Sequence, residues 1–72
     1  MAKRMAKGTV EWFSHEKGYG FISPDDGGED LFVHYTDIEG IGVRSLKEGE
    51  RVTYVRARGP RGRKVARAVH RT

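Results

Sequence analysis

Residues 17–35 read KGYGFISPDDGGEDLFVHY, two apolar runs held apart by a proline, two aspartates and two glycines. The middle of it, Pro24-Asp25-Asp26-Gly27-Gly28, has the chemistry of a hairpin loop. Proline ends a strand, and glycine reaches positive φ without a Cβ penalty. The flanking runs, Lys17 to Ser23 and Asp30 to Tyr35, then become two paired strands. The first of them breaks a local rule, because Gly18 and Gly20 each precede an aromatic ring. Glycine inside a strand loses entropy and leaves holes, and such breaks tend to mark function.

Outward from this hairpin the same alternation continues. Gly8 to Phe13 reads as a first strand rich in β-branched and aromatic residues, followed by a polar turn over Ser14 to Lys17. Downstream, Thr36 to Leu46 is too long for a tight turn and lacks clear periodicity. It reads as one short helical turn at Thr36-Asp37-Ile38, then a loop through Gly40 and Gly42, with Leu46 anchored in the core. Arg51 to Arg56 forms a fourth strand, a loop carries Arg58-Gly59-Pro60-Arg61-Gly62, and a fifth strand covers about Lys64 to His70. Five short strands with one long connection after the third predict an all-β fold, a five-stranded antiparallel Greek-key barrel. Closure also removes the edges that a small flat sheet would expose.

A chain of 72 residues holds one domain and one small core. With no cysteine, neither a disulfide framework nor a thiolate zinc site is available. Met5-Ala6-Lys7 repeats Met1-Ala2-Lys3, and residues 1–6 are expected to be a flexible basic extension to a domain spanning 7–72. No run is long or apolar enough for a membrane span or a signal peptide, so no membrane contact is expected, and the lack of cysteine is compatible with a reducing cytoplasm.

Net charge is +4, and its distribution says more than the sum. From Arg56 onwards there are seven basic residues and no acidic one, whereas eight of the ten acidic residues lie between Asp25 and Glu50. A cationic end that dense favours a polyanionic partner. From charge alone, a solvated tail that aids solubility explains it equally well.

Side chains alternate sides along a strand. Tyr19 and Phe21 therefore share one face and Gly20 and Ile22 the other. Phe32 and His34 likewise oppose Leu31 and Val33. The aliphatic set is natural core together with Val10, Ile38, Leu46, Val52 and Tyr54, which sends Tyr19, Phe21, Phe32 and His34 outwards as one cluster. The reverse arrangement would expose Ile22, Leu31 and Val33 and bury His34 and Lys17. Outward rings beside cations suit a single-stranded nucleic acid, since every base has a π-face that stacks and every phosphate a charge. Exposed aromatics also mark protein–protein hot spots, so a small barrel docking on transcription or translation machinery is the alternative.

Lys17-Gly18-Tyr19-Gly20-Phe21-Ile22 resembles the first ribonucleoprotein motif of the bacterial cold shock proteins, and Leu31-Phe32-Val33-His34-Tyr35 the second. Gly8-Thr9-Val10-Glu11-Trp12-Phe13 is similar to their opening strand, and the likeness runs from about Lys7 to Val69. The RNA recognition motif is rejected, because there the two motifs come in the opposite order and two helices are required. The resemblance implies an OB-fold, the cold shock domain, that binds single-stranded RNA and DNA as a cytoplasmic nucleic-acid chaperone. It also implies that Trp12, Lys17, Tyr19, Phe21, Phe32, His34 and Tyr35 occupy base-stacking and contact positions. Ser14 and Asp30 fall where polar groups hydrogen-bond bases, and Arg61 matches a basic loop position. Arg58 and Arg63 join it as phosphate contacts on their charge and place. Three departures stand out. Val43 replaces a usual aromatic, Glu11 a common lysine, and Arg63-Lys64 a more neutral segment, which together shift the balance from stacking towards electrostatics.

His15, His34 and His70 are too scattered for a metal site. Ser14-His15-Glu16 cannot form a triad through neighbouring turn residues alone, and Gly18-Tyr19-Gly20 lacks the end of a phosphate loop. No enzyme activity, cofactor or metal is expected, and the chain is expected to be a monomer.

Overall fold

A computed structural model describes residues 5–40 and 45–72. Gly42 and Val43 of the long connection, and residues 1–4 of the expected extension, lie outside them. Five strands follow in order: β1 (Ala6–Ser14), β2 (Tyr19–Pro24), β3 (Leu31–His34), β4 (Arg51–Arg58) and β5 (Lys64–Arg71). Short 3₁₀ turns occupy Tyr35–Asp37, after β3, and Pro60–Gly62, between β4 and β5. Pairing begins at Ala6, opposite Tyr54 of β4. β4 continues two residues beyond the expected Arg56, so Arg58 belongs to a strand rather than to the loop after it. Its pairing with Lys64 carries the ladder that far.

The strands close into a barrel in the order β1-β2-β3-β5-β4. β1 and β3 both run antiparallel to β2, and β5 runs antiparallel to β4, which is itself antiparallel to β1. β3 and β5 therefore point the same way. The seam where they meet is parallel, joined at Phe32–Val65 and extended by an isolated bridge between Ile38 and Val69. Every other pairing is antiparallel, as expected.

Inside lie Val10, Ile22, Leu31, Val33, Ile38, Leu46, Val52 and Tyr54, all the residues that alternation assigned to the core. Val65, Ala66 and Val69 of β5 join them. Ala66 and Val69 are three apart, a spacing that a regular strand does not bring to one face. β5 carries a bulge here: Tyr54 alone on β4 faces Ala68 and Val69, and Ala68 takes φ 50°. The extra residue flips the phase, turning Val69 inwards and leaving His70 exposed.

β1 has the corresponding device at Glu11. Val10 pairs with Ile22 and Trp12 with the very next residue, Phe21, so Glu11 is the surplus residue. Strict alternation would place Trp12 inside with Val10. The bulge instead leaves Trp12 40% exposed on the outer face and packs Phe13 against the core.

Tyr54 is the largest fully buried side chain, and its hydroxyl has no hydrogen-bond partner among the described residues. Burial pushes its pKa up, against a smaller opposing pull from Arg56. An unmet buried hydroxyl costs roughly 1–3 kcal/mol of desolvation. Tyr54→Phe keeps the ring and removes that cost, so it is expected to stabilise the fold by about 1 kcal/mol. Urea denaturation checks this; a lower midpoint at unchanged slope would show that the hydroxyl is bonded within the barrel.

Candidate nucleic-acid interface

The β2–β3 register sets Tyr19 opposite His34 and Phe21 opposite Phe32, and the β1 bulge adds Trp12 alongside. The result is a closed ring of four aromatics. Trp12 lies 5.7 Å from Tyr19 and 5.5 Å from Phe21, centroid to centroid. Phe32 closes the figure at 5.5 Å from Tyr19 and 5.9 Å from Phe21. All four contacts are tilted or edge-on, as aromatic quadrupoles prefer. None of the four side chains is fully buried, so the cluster presents π-surface to solvent. His34 and Tyr35 make a second pair, 4.6 Å apart, at its edge.

The cationic end is less uniform than its sequence suggests. Four of its seven basic residues are taken by the acidic middle of the chain: Arg56 by Asp26, Lys64 by Glu29, Arg67 by Asp37 and Arg71 by Glu50. Three arginines, Arg58, Arg61 and Arg63, have no carboxylate partner among the described residues. These three border the rings. Arg58 and Arg63 share one groove with Phe21, Asp30 and Phe32, and Arg61 and Arg63 share the next with Phe32 and Pro60. The Arg63 guanidinium carbon sits 5.1 Å from the Phe32 centroid, within cation–π range. Arg58 donates to the Gly62 carbonyl at 3.2 Å, which ties the end of β4 to the following turn.

The chain matches the model of the 'Cold-shock' DNA-binding domain over residues 6–72. It belongs to the cold-shock domain family. Members of this family bind nucleic acid. Among similar proteins, cold shock-like protein CspA of Bordetella pertussis is 53% identical over 58 residues, 81% of this chain and 87% of the relative. Cold shock protein CapA of Pseudomonas fragi is 53% identical over 62 residues, 86% of this chain and 95% of CapA. Glycine-rich protein 2 of Nicotiana sylvestris is 62% identical over 58 residues, 81% of this chain but 27% of that larger protein. The solved structure of drosophila Unr CSD456 superposes at a TM-score of 0.82 and 17% identity, covering 99% of this chain and 28% of that one, which shows the shared fold.

The remaining sequence-selected residues of this cold-shock domain fall around the ring cluster. Ser14 Oγ accepts the Lys17 backbone N–H at 3.1 Å, so its oxygen holds the β1–β2 turn while its own hydrogen stays available. Lys17 is exposed beside a hollow lined by Phe13, His15 and Tyr35. Thr36 N–H approaches His34 Nδ1 at 3.4 Å and Thr36 Oγ1 lies 3.0 Å from the same nitrogen. Tyr35 begins a 3₁₀ turn instead of ending the third strand, and is 44% exposed.

Close packing explains why Gly18 and Gly20 are glycines. Gly18 takes φ 77°, and a Cβ there would lie 2.7 Å from Tyr35 Cδ2. Gly20 faces inwards, where a Cβ would strike the Trp12 carbonyl oxygen and come within 2.8 Å of Phe13 Cα. They let β1 and Tyr35 close down on β2. His15, set aside in the sequence, meets the nearly buried Ser45 hydroxyl across thirty positions; no spacing in the chain signals that contact.

The acidic hairpin loop is clamped to β4. Arg51 grips Asp25 with two bonds, 2.7 and 2.6 Å, and Arg56 holds Asp26, which also accepts the Gly28 N–H at 2.8 Å. These bonds, the arginine ones foremost, lower both carboxyl pKa values below the usual 3.8. A depressed folded-state pKa contributes stability that is complete above the unfolded value and is lost as pH falls through the folded one. Thermal midpoints are therefore expected to drop as pH goes below about 4, and Asp25→Asn is expected to flatten that drop. An unaltered acid slope in Asp25→Asn would remove Asp25 as its source. The pairs are half exposed, so the effect is modest.

Proposed function

We propose that this domain binds single-stranded RNA and DNA by stacking bases on Trp12, Tyr19, Phe21 and Phe32, with His34 and Tyr35 extending the platform. Lys17, Arg58, Arg61 and Arg63 meet phosphates, while Ser14 and Asp30 offer hydrogen bonds to base edges. The observation that carries this reading is the coincidence of two independent features. The only arginines of the cationic end without a carboxylate partner, among the described residues, are those bordering the ring cluster. Protein docking surfaces also use rings and arginines, but they do not call for several guanidinium groups without carboxylate partners in two adjoining grooves beside the rings. A nucleic-acid strand, which alternates bases with phosphates, uses both.

Binding to unpaired strands alone stabilises them by RT ln(1 + [L]/Kd), about 2.7 kcal/mol at a hundredfold excess over Kd. That opens marginal hairpins without ATP, the activity of an RNA chaperone in the cytoplasm, here acting as a monomer. Trp12 is the single tryptophan, so its fluorescence reports on the site directly. Titration with oligothymidine is expected to quench it saturably. Unchanged emission, with no shift in the anisotropy of a labelled oligonucleotide, would leave protein docking as the better account.

A further inference from the structure

In the free protein the face of one ring is already occupied. Arg63 lies 5.1 Å above Phe32, whereas, among the described residues, no cation lies over any of the other three rings of the cluster. The loop that places Arg63 is held by its backbone: Gly59 N–H donates to the Arg63 carbonyl at 2.7 Å and Arg63 N–H to the Pro60 carbonyl at 3.3 Å. Arg63 has no carboxylate partner among the described residues. Only its side chain has to move to uncover the ring.

We propose that Arg63 is a displaceable cover on Phe32, leaving the ring face when a base stacks there and moving to a neighbouring phosphate. This rests on the nucleic-acid reading above and adds a specificity device to it. The same side chain opposes binding through the ring and favours it through the phosphate. The two effects respond differently to salt. The phosphate contact follows counterion release, with a log–log slope of about 0.7 per contact on single strands, while the ring contact is a short-range one that salt weakens far less. Arg63 thus favours strands with a phosphate within its reach over isolated bases or uncharged ligands.

The test is the salt dependence of oligothymidine affinity for the intact chain and for Arg63→Ala, read by anisotropy of a labelled strand. Raising salt tenfold shifts the ratio of the two affinities by about fivefold through the one lost phosphate contact. Arg63→Ala is expected to bind about twofold more weakly at ~50 mM salt and about twofold more tightly at ~500 mM, so the two lines cross. Arg61→Ala, whose guanidinium covers no ring, is expected to converge on the intact chain at high salt without passing it. In a Phe32→Ala background the crossing is expected to vanish. Weaker binding by Arg63→Ala at every salt would overturn the proposal and make the guanidinium a permanent part of the stack, and parallel lines would overturn it by removing the phosphate contact. Absence of binding by the intact chain at all salts would sink the interface itself, a result distinguishable from either.

Discussion

Gly20→Ala is expected to destabilise the fold by about 3 kcal/mol, the upper part of the range for overpacking. The added methyl meets backbone on two sides, the Trp12 carbonyl and Phe13 Cα, and backbone cannot rotate away as a side chain does. Relief requires β1 to lift from β2 at the Glu11 bulge. For a domain of this size that corresponds to a fall of roughly 12–24 °C in thermal midpoint. The lift also displaces Trp12 from its neighbours Tyr19 and Phe21, so oligothymidine affinity is expected to fall together with stability. Gly27→Ala makes a useful contrast. Unlike Gly20, Gly27 sits at positive φ, 81°, but with nothing within 4 Å of the new atom, so its effect is confined to backbone strain. Equal losses in the two variants would show that close approach at Gly20 is not what the glycine serves.

The second large effect concerns binding. Phe21→Ala is expected to lose roughly 1–3 kcal/mol of affinity for oligothymidine, the range for removing one stacking ring. Phe21 touches both Trp12 and Phe32, so its removal opens the ring figure from the middle of β2 and also loosens its neighbours. Stacking releases no counterions. The loss is therefore expected to be the same at low and high salt, leaving the slope of log K against log salt unchanged. Isothermal titration at two ionic strengths distinguishes this from a charge effect. A loss that shrinks at high salt would mean that Phe21 acts by positioning cations and not by stacking.

Alternation and turn chemistry were enough to read the five strands, a barrel and the inward residues of β1 to β4, but not the parallel β3–β5 seam that sets the order of strands around it. Ile22, Leu31 and Val33 are inside and Tyr19, Phe21 and Phe32 outside because the period of two is unbroken in β2 and β3. Where the period breaks, the reading stops. The surplus residue at Glu11 reverses the phase before Trp12, and the one at Ala68 reverses it before Val69. A bulge is a property of two strands together, so one strand's pattern does not display it. Trp12 entered the candidate site through its resemblance to a known motif, not through its place in an alternating run. Charge was legible as a sum but not as a set of partners. Asp26, Glu29, Asp37 and Glu50 reach across 21 to 35 positions to Arg56, Lys64, Arg67 and Arg71, and only the closed barrel brings them together. What they leave unpaired is the part that matters for the interface.

The parallel join between β3 and β5 has only one bridged pair within the strands and a second beyond them, far fewer than the ladders elsewhere. The aromatic ring figure stands on one bank of this join, on β1 to β3, and the three unpaired arginines on the other, on β4 and the turn before β5. An occupant that reaches both banks acts as a suture across the least-stitched line of the molecule. Amides flanking Phe32 and Val65 should then gain the most protection from hydrogen exchange when the groove is filled.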